Sequence, residues 1–157
     1  MSSAFPQAME LKWPEGATVA VVAARFNADI VDSLLADCIQ RLNELGAPAI
    51  TVERVPGSFE LPVAAQWAAG NHDAVICLGA VIRGDTPHFE YVCTSASSGI
   101  LEVGVKTSKP VIFGVLTTDS HGQALARANG HHSRGGRNFA EAATEMLMLK
   151  RKLLAQA

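Results

Sequence analysis

DAVICLGAVIRGDTPHFEYVC, Asp73 to Cys93, opens on an apolar run of strand length and closes in a helix. The run Asp73–Ile82 has no polar face, which predicts a strand covered on both sides within a parallel sheet. Beyond it, Arg83, Asp85, Thr86 and His88 crowd into a six-residue connection, Arg83 to His88. Thr86 reads as a helix N-cap, Pro87 as the first helical residue and His88 as the second, with the helix continuing to about Lys106. A strand delivering a histidine to a helix start through a short polar loop is half of a βαβ unit.

Working outward, Ala17–Ala24 (ATVAVVAA) is another continuous apolar strand, and Asn27 reads as the cap of a helix. In that helix Ile30, Val31, Leu34, Leu35, Cys38, Ile39, Leu42 and Leu45 recur at helical spacing until Gly46. A shorter strand, Ala49–Val55, ends at Pro56-Gly57. Ser58 then reads as the cap of a helix carrying Glu60 and Pro62 in its first turns and ending near Gly70. Past the quoted stretch, Pro110–Leu116 is the fourth strand, and Ser120 caps a helix that breaks at ANGHHSRGG. Asn138 to about Leu154 is the last helix, with Lys150, Arg151 and Lys152 near the end where the dipole favours cations. The alternation predicts a doubly wound α/β sandwich: a four-stranded parallel sheet with helices on both faces, residues 17–157, preceded by an arm, residues 1–16.

The chain of 157 residues suits one domain with a proper core. Its net charge of −2 and 18% charged residues offer no basic face for nucleic acid or an anionic membrane. Cys38, Cys77 and Cys93 lack metal or redox spacing and fall in apolar periodic stretches, as reduced core thiols do. The beginning of the sequence lacks a leader pattern and no apolar stretch is long enough to span a bilayer, so the cytoplasm is the expected address.

In such a sheet, ligands bind beyond the carboxyl ends of the strands. Those ends carry Arg25-Phe26-Asn27, Pro56 to Glu60, Arg83 to His88, and Thr117-Thr118-Asp119. The free amides of a first helical turn make an anion site, and their partial positive charge works against an imidazolium at His88, a proton-shuttle position. A histidine that merely supports the cap is the plainer alternative. Phe26 and Phe59 begin loops on the same rim, where paired aromatics suit a flat heterocycle and Glu60 can bond ring N–H groups. No nucleotide-binding glycine loop, nucleophile elbow or metal-spaced ligand set is present, and His131 and His132 read as solvated loop residues.

Taken together, ARFNADIVDSLL, VPGSFELPVAA, HDAVICLGAVIRGDTPHFEYVC, PVIFGVLTTDSHGQALARA and AEAATEM resemble the lumazine synthase family, in order and over nearly the whole chain. The resemblance implies a flavodoxin-like fold. It implies condensation of 5-amino-6-(D-ribitylamino)uracil with 3,4-dihydroxy-2-butanone 4-phosphate to 6,7-dimethyl-8-ribityllumazine, losing inorganic phosphate and water, with no metal or organic cofactor. By motif, it implies that Phe26 stacks on the pyrimidine, that Ser58, Phe59 and Glu60 hold the ribityl chain and ring edge, and that Ala80, Val81 and Ile82 line the pocket. It further implies that Asp85 and Thr86 meet the phosphate, His88 transfers protons, Phe113 covers the ring and Arg127 pairs with the phosphate. A non-catalytic flavin- or lumazine-binding relative is the alternative, weakened by the presence of both His88 and Arg127. An enzyme that dismutates lumazine to riboflavin is a third reading, weakened by the phosphate loop.

The chain departs from the family where a GNKG lysine also approaches the phosphate; here ANGHHSRGGRNF leaves Arg134, Arg137 and Asn138 as candidates for that place. Phe113 lies mid-strand, too early to reach the rim of its own chain, and the resemblance implies a homo-oligomer, a pentamer, with each pocket built between neighbours. The lengthened turn ANGHHSRGGRN favours an isolated pentamer over a closed shell. The arm, with Phe5 and Trp13, is expected to be exposed on a lone chain.

Overall fold

In the computed structural model, which describes residues 9–129 and 135–157, the quoted stretch forms a strand, Ala74–Ile82, and a helix, His88–Thr107. Expectations concerning Phe5, His131, His132 and Arg134 lie outside the described residues. In chain order the elements are β1 (Val19–Ala24), α1 (Ala28–Leu45), β2 (Ile50–Val55), a 3-10 turn (Ser58–Glu60), α2 (Leu61–Ala69), β3 (Ala74–Ile82), α3 (His88–Thr107), β4 (Val111–Thr118), α4 (His121–Asn129) and α5 (Arg137–Ala155). All strand pairs are parallel, in the order β2-β1-β3-β4.

Side chains of successive strand residues point to opposite faces, so each apolar run feeds two cores. Val19, Val21, Ile76 and Leu78 pack with Ile30, Leu34 and Leu42 of α1 and with Ala124, Ala140 and Leu147 of α4 and α5. Val22, Val75 and Cys77 pack with Leu61 and Ala65 of α2 and Ile100 and Val103 of α3. Burial pushes the Cys38 and Cys77 thiols up to about 12. Cys93 departs from the core-thiol expectation: it is half-buried on α3.

One local expectation holds in position but not in bonding, and three are corrected. Asn27 occupies the cap position of α1 in a left-handed backbone (φ 57°, ψ 49°), and its side chain makes no cap bond. Its carbonyl accepts from the Ile30 and Val31 amides, each at 3.0 Å, while its Nδ2 donates to the Ala80 carbonyl at 2.8 Å. Ser58, by contrast, is not a cap: Gly57 holds that position. It is buried at the start of the 3-10 turn, in the space that Gly79 leaves by having no side chain, and Glu60 Oε2 accepts from the Gly57 amide at 3.0 Å. Helix α3 starts at His88, with Pro87 in the cap position; Thr86 Oγ1 still accepts from the His88 amide, at 3.4 Å. Trp13 is buried rather than exposed, its indole donating to the Ala17 carbonyl at 2.9 Å and its amide to the Leu45 carbonyl at 3.0 Å, so the segment just before β1 is anchored on the end of α1.

The start of α5 is tied to α1 by charge. Arg137 donates to both carboxylate oxygens of Glu44, at 3.1 and 2.8 Å, and Arg41 bridges Glu44 at 3.1 Å and Glu141 at 2.9 Å. The Arg137 bonds, opposed by desolvation and aided by Arg41, hold the Glu44 carboxyl down at about 2. A depressed carboxyl contributes stability that is full above its ordinary value of 4.5 and is lost as pH falls towards 2. Glu44→Gln should therefore melt with a weaker pH dependence in that window. Thermal melts with the same acid limb for both proteins would count against the pair.

Candidate active site

β1 and β3 lie side by side, yet α1 packs on one face of the sheet and α3 on the other. The chain therefore parts between their carboxyl ends, at the switch point where open parallel sheets take ligands. A cavity of about 620 Å³ opens there, lined by Phe26 and Asn27 after β1, Pro56 to Glu60 after β2, Ala80 to Ile82 of β3, Gly84 and Thr86 of the next loop, and His88, Phe89 and Val92 of α3.

Phe26 and Phe59 are 71% and 59% exposed, so neither ring serves the core and both are available to a flat ligand. Ser58 sits behind them, buried, and Glu60 braces its own loop through the Gly57 amide. The His88 ring is exposed at the mouth, where the open amides of the first turn of α3 favour an anion. Arg83 fastens this loop from outside. Its Nε donates to Asp119 Oδ1 at 2.8 Å, its Nη1 pairs with Glu90, and its guanidinium lies 4.3 Å from the Phe89 ring centroid. Asp119 first, then Glu90, raise the guanidinium pKa, and the Arg83 bond lowers that of Glu90.

Of the residues singled out from the sequence, Phe26, Ser58, Phe59, Glu60, Ala80, Val81, Ile82, Thr86 and His88 line the cavity, whereas Asp85, Phe113 and Arg127 do not. Asp85 is exposed in the loop between two lining residues. Phe113 pairs with Cys77 in the middle of the edge strand β4, 40% exposed. Arg127 is in the last turn of α4, with Nη1 donating to the Gln123 carbonyl at 3.5 Å. Arg137, a candidate for the lysine's place, is held by Glu44 and does not line the cavity. Sequence reasoning missed Phe89 and Val92, though Val92 follows His88 at the four-residue spacing that shares one helix face. Among the described residues no group of three or more His, Cys, Asp or Glu side chains could hold a metal ion.

This fold and pocket define a class: doubly wound α/β proteins with a ligand-sized cavity at the switch point of a parallel sheet. A model of the 6,7-dimethyl-8-ribityllumazine synthase family matches residues 16–151. Proteins named 6,7-dimethyl-8-ribityllumazine synthase are similar along most of the length. One from Salinibacter ruber is 50% identical over 143 residues, 88% of this chain and 92% of its own. One from Kineococcus radiotolerans is 53% identical over 120 residues, 76% and 74% of the two chains, and one from Saccharopolyspora erythraea is 45% identical over 153 residues, 96% and 89%. The chain belongs to the 6,7-dimethyl-8-ribityllumazine synthase family.

Proposed function

We propose that the protein is a transferase of riboflavin biosynthesis, condensing 5-amino-6-(D-ribitylamino)uracil with 3,4-dihydroxy-2-butanone 4-phosphate to 6,7-dimethyl-8-ribityllumazine, with release of phosphate and water. The observation that carries this is the cavity at the β1/β3 switch point, with two exposed phenylalanines beside a helix-start histidine, in a chain of this family. The relatives reported above share that name, so the ligand-carrying alternative is the less favoured reading.

In the proposed reaction Phe26 stacks on the pyrimidine, Ser58, Phe59 and Glu60 take its ribityl chain and ring edge, and Ala80, Val81 and Ile82 form the floor. The phosphate lies at the start of α3 by Asp85 and Thr86, where helix amides favour an anion. Imine formation expels one water, elimination expels phosphate, and closure of the second ring by the ribityl-bearing amine on the remaining carbonyl expels a second water; each step moves protons, and His88 lines the cavity to carry them. Holding both substrates in one cavity supplies much of the remaining acceleration.

Phe113 and Arg127 come, in this reading, from a neighbouring copy, Arg127 to pair with the phosphate. Their position outside the cavity of one chain supports an assembly with pockets between subunits. So does an apolar groove beside edge strand β4, lined by Leu101, Val105, Ile112 and Leu153. The proposed assembly is a pentamer in the cytoplasm. Light scattering at micromolar protein should give the mass of a pentamer or a pair of them, and a megadalton shell refutes the assembly. Incubation with both substrates should give lumazine absorbance and phosphate in equal amounts; folded protein that yields neither refutes the reaction.

A further inference from the structure

Strand β3 outlasts β1. Their ladder ends at Ala23 opposite Leu78, whereas β3 runs on beside β4 to Ile82. Backbone groups of successive strand residues turn to opposite edges, and the pattern here is fixed at both ends. The Ala74 amide donates to Thr18 at the start of β1, while the Val75 and Arg83 amides donate to Pro110 and Thr118 on the β4 side. Ala80, in step with Ala74, turns its carbonyl towards the space that β1 has vacated. Asn27 fills that space, its Nδ2 donating to the Ala80 carbonyl at 2.8 Å. The side-chain amide thus makes one more rung after the strand has ended.

The same residue starts α1 through its carbonyl and sits in the left-handed region, which glycine, asparagine and aspartate enter most readily. Its chain neighbour Phe26 is held by its own amide, bonded to the Pro56 carbonyl at 3.1 Å, and exposes its ring at the cavity whose floor includes Ala80. We infer that Asn27 is a positioning residue: by replacing β1 in the ladder at Ala80, its side-chain amide sets the gap between the Phe26 ring and the β3 floor, and so the thickness of ligand the cavity takes. The inference rests on the proposed reaction only for the identity of the flat ligand.

Two requirements at this position can be separated. Asn27→Gly keeps the backbone and removes the donor; Asn27→Asp keeps shape and backbone tendency but turns an acceptor towards a carbonyl. Both variants should assemble as the wild type does and bind ribitylaminouracil alone, by calorimetry, about 5- to 10-fold more weakly, as expected for one lost rung. The KM for the butanone phosphate should stay unchanged. Wild-type affinity in both variants overturns the inference, as does an equal worsening for both substrates accompanied by a lower melting temperature, the mark of a purely structural role. If the wild type binds no ribitylaminouracil, the proposed reaction fails and hydrogen exchange at the Phe26 amide decides the inference. Faster exchange in Asn27→Gly at unchanged melting temperature supports it, and unchanged exchange overturns it.

Discussion

Gly136→Ala should lower the melting temperature by roughly 6–12 °C, the result of about 3 kcal/mol of overpacking in a chain of this size. Gly136 is buried where the start of α5 crosses α1. A Cβ there would overlap the Leu34 carbonyl oxygen and stand 2.8 Å from its carbon and 2.9 Å from the Cys38 amide nitrogen. Backbone atoms inside a helix cannot move aside as a side-chain tip can, so relief requires α5 to lift from α1. The torsion is not the reason, because φ of −68° suits any residue. Gly122→Ala is the control: it lies in α4 with nothing nearer than Ser120 Oγ at 4.0 Å, and alanine favours a helix. That variant should melt at or above the wild type. Gly136→Ala melting with the wild type would mean that α5 approaches α1 less closely than described.

His88→Ala should slow turnover by about 10²–10⁴-fold, the usual contribution of a positioned acid–base group. The ring is exposed and the α3 start is made by backbone and Thr86, so truncation should leave folding intact. Ribitylaminouracil should bind as before, since Phe26 and Phe59 are untouched. A variant retaining wild-type kcat would reduce His88 to a lining residue and move proton transfer elsewhere.

Strands and helices were legible because their signals are local: the apolar run Asp73–Ile82 and the periodicity from Ile30 to Leu45 need no knowledge of the rest of the chain. The rim followed from topology, and with it Phe26, Phe59, Glu60 and His88. What escaped depends on partners far along the chain. Asn27 and Ser58 carry side chains suited to caps, and local chemistry assigned them so. Their fates were decided by Ala80 and Gly79, which the sheet brings alongside. Trp13 likewise meets Ala17 and Leu45 only after β1 and α1 are packed. Phe113 stands outside the cavity of its own chain, as its mid-strand position led one to expect, and Arg127, chosen by motif, lies in the last turn of α4 and does not line it.

The sheet that divides the interior into two apolar layers also divides the protein's tolerance for drift. Ile76 and Cys77 are adjacent in sequence, but one faces Leu34 and Leu42 while the other faces Leu61 and Ile100. Residues that share partners couple energetically, and those that do not are nearly additive. Substitutions in this chain should therefore compensate one another across long sequence distances within a layer, as between Ile76 and Leu34, and accumulate independently between immediate neighbours along a strand. Two histories of change can run through one stretch of sequence, interleaved residue by residue.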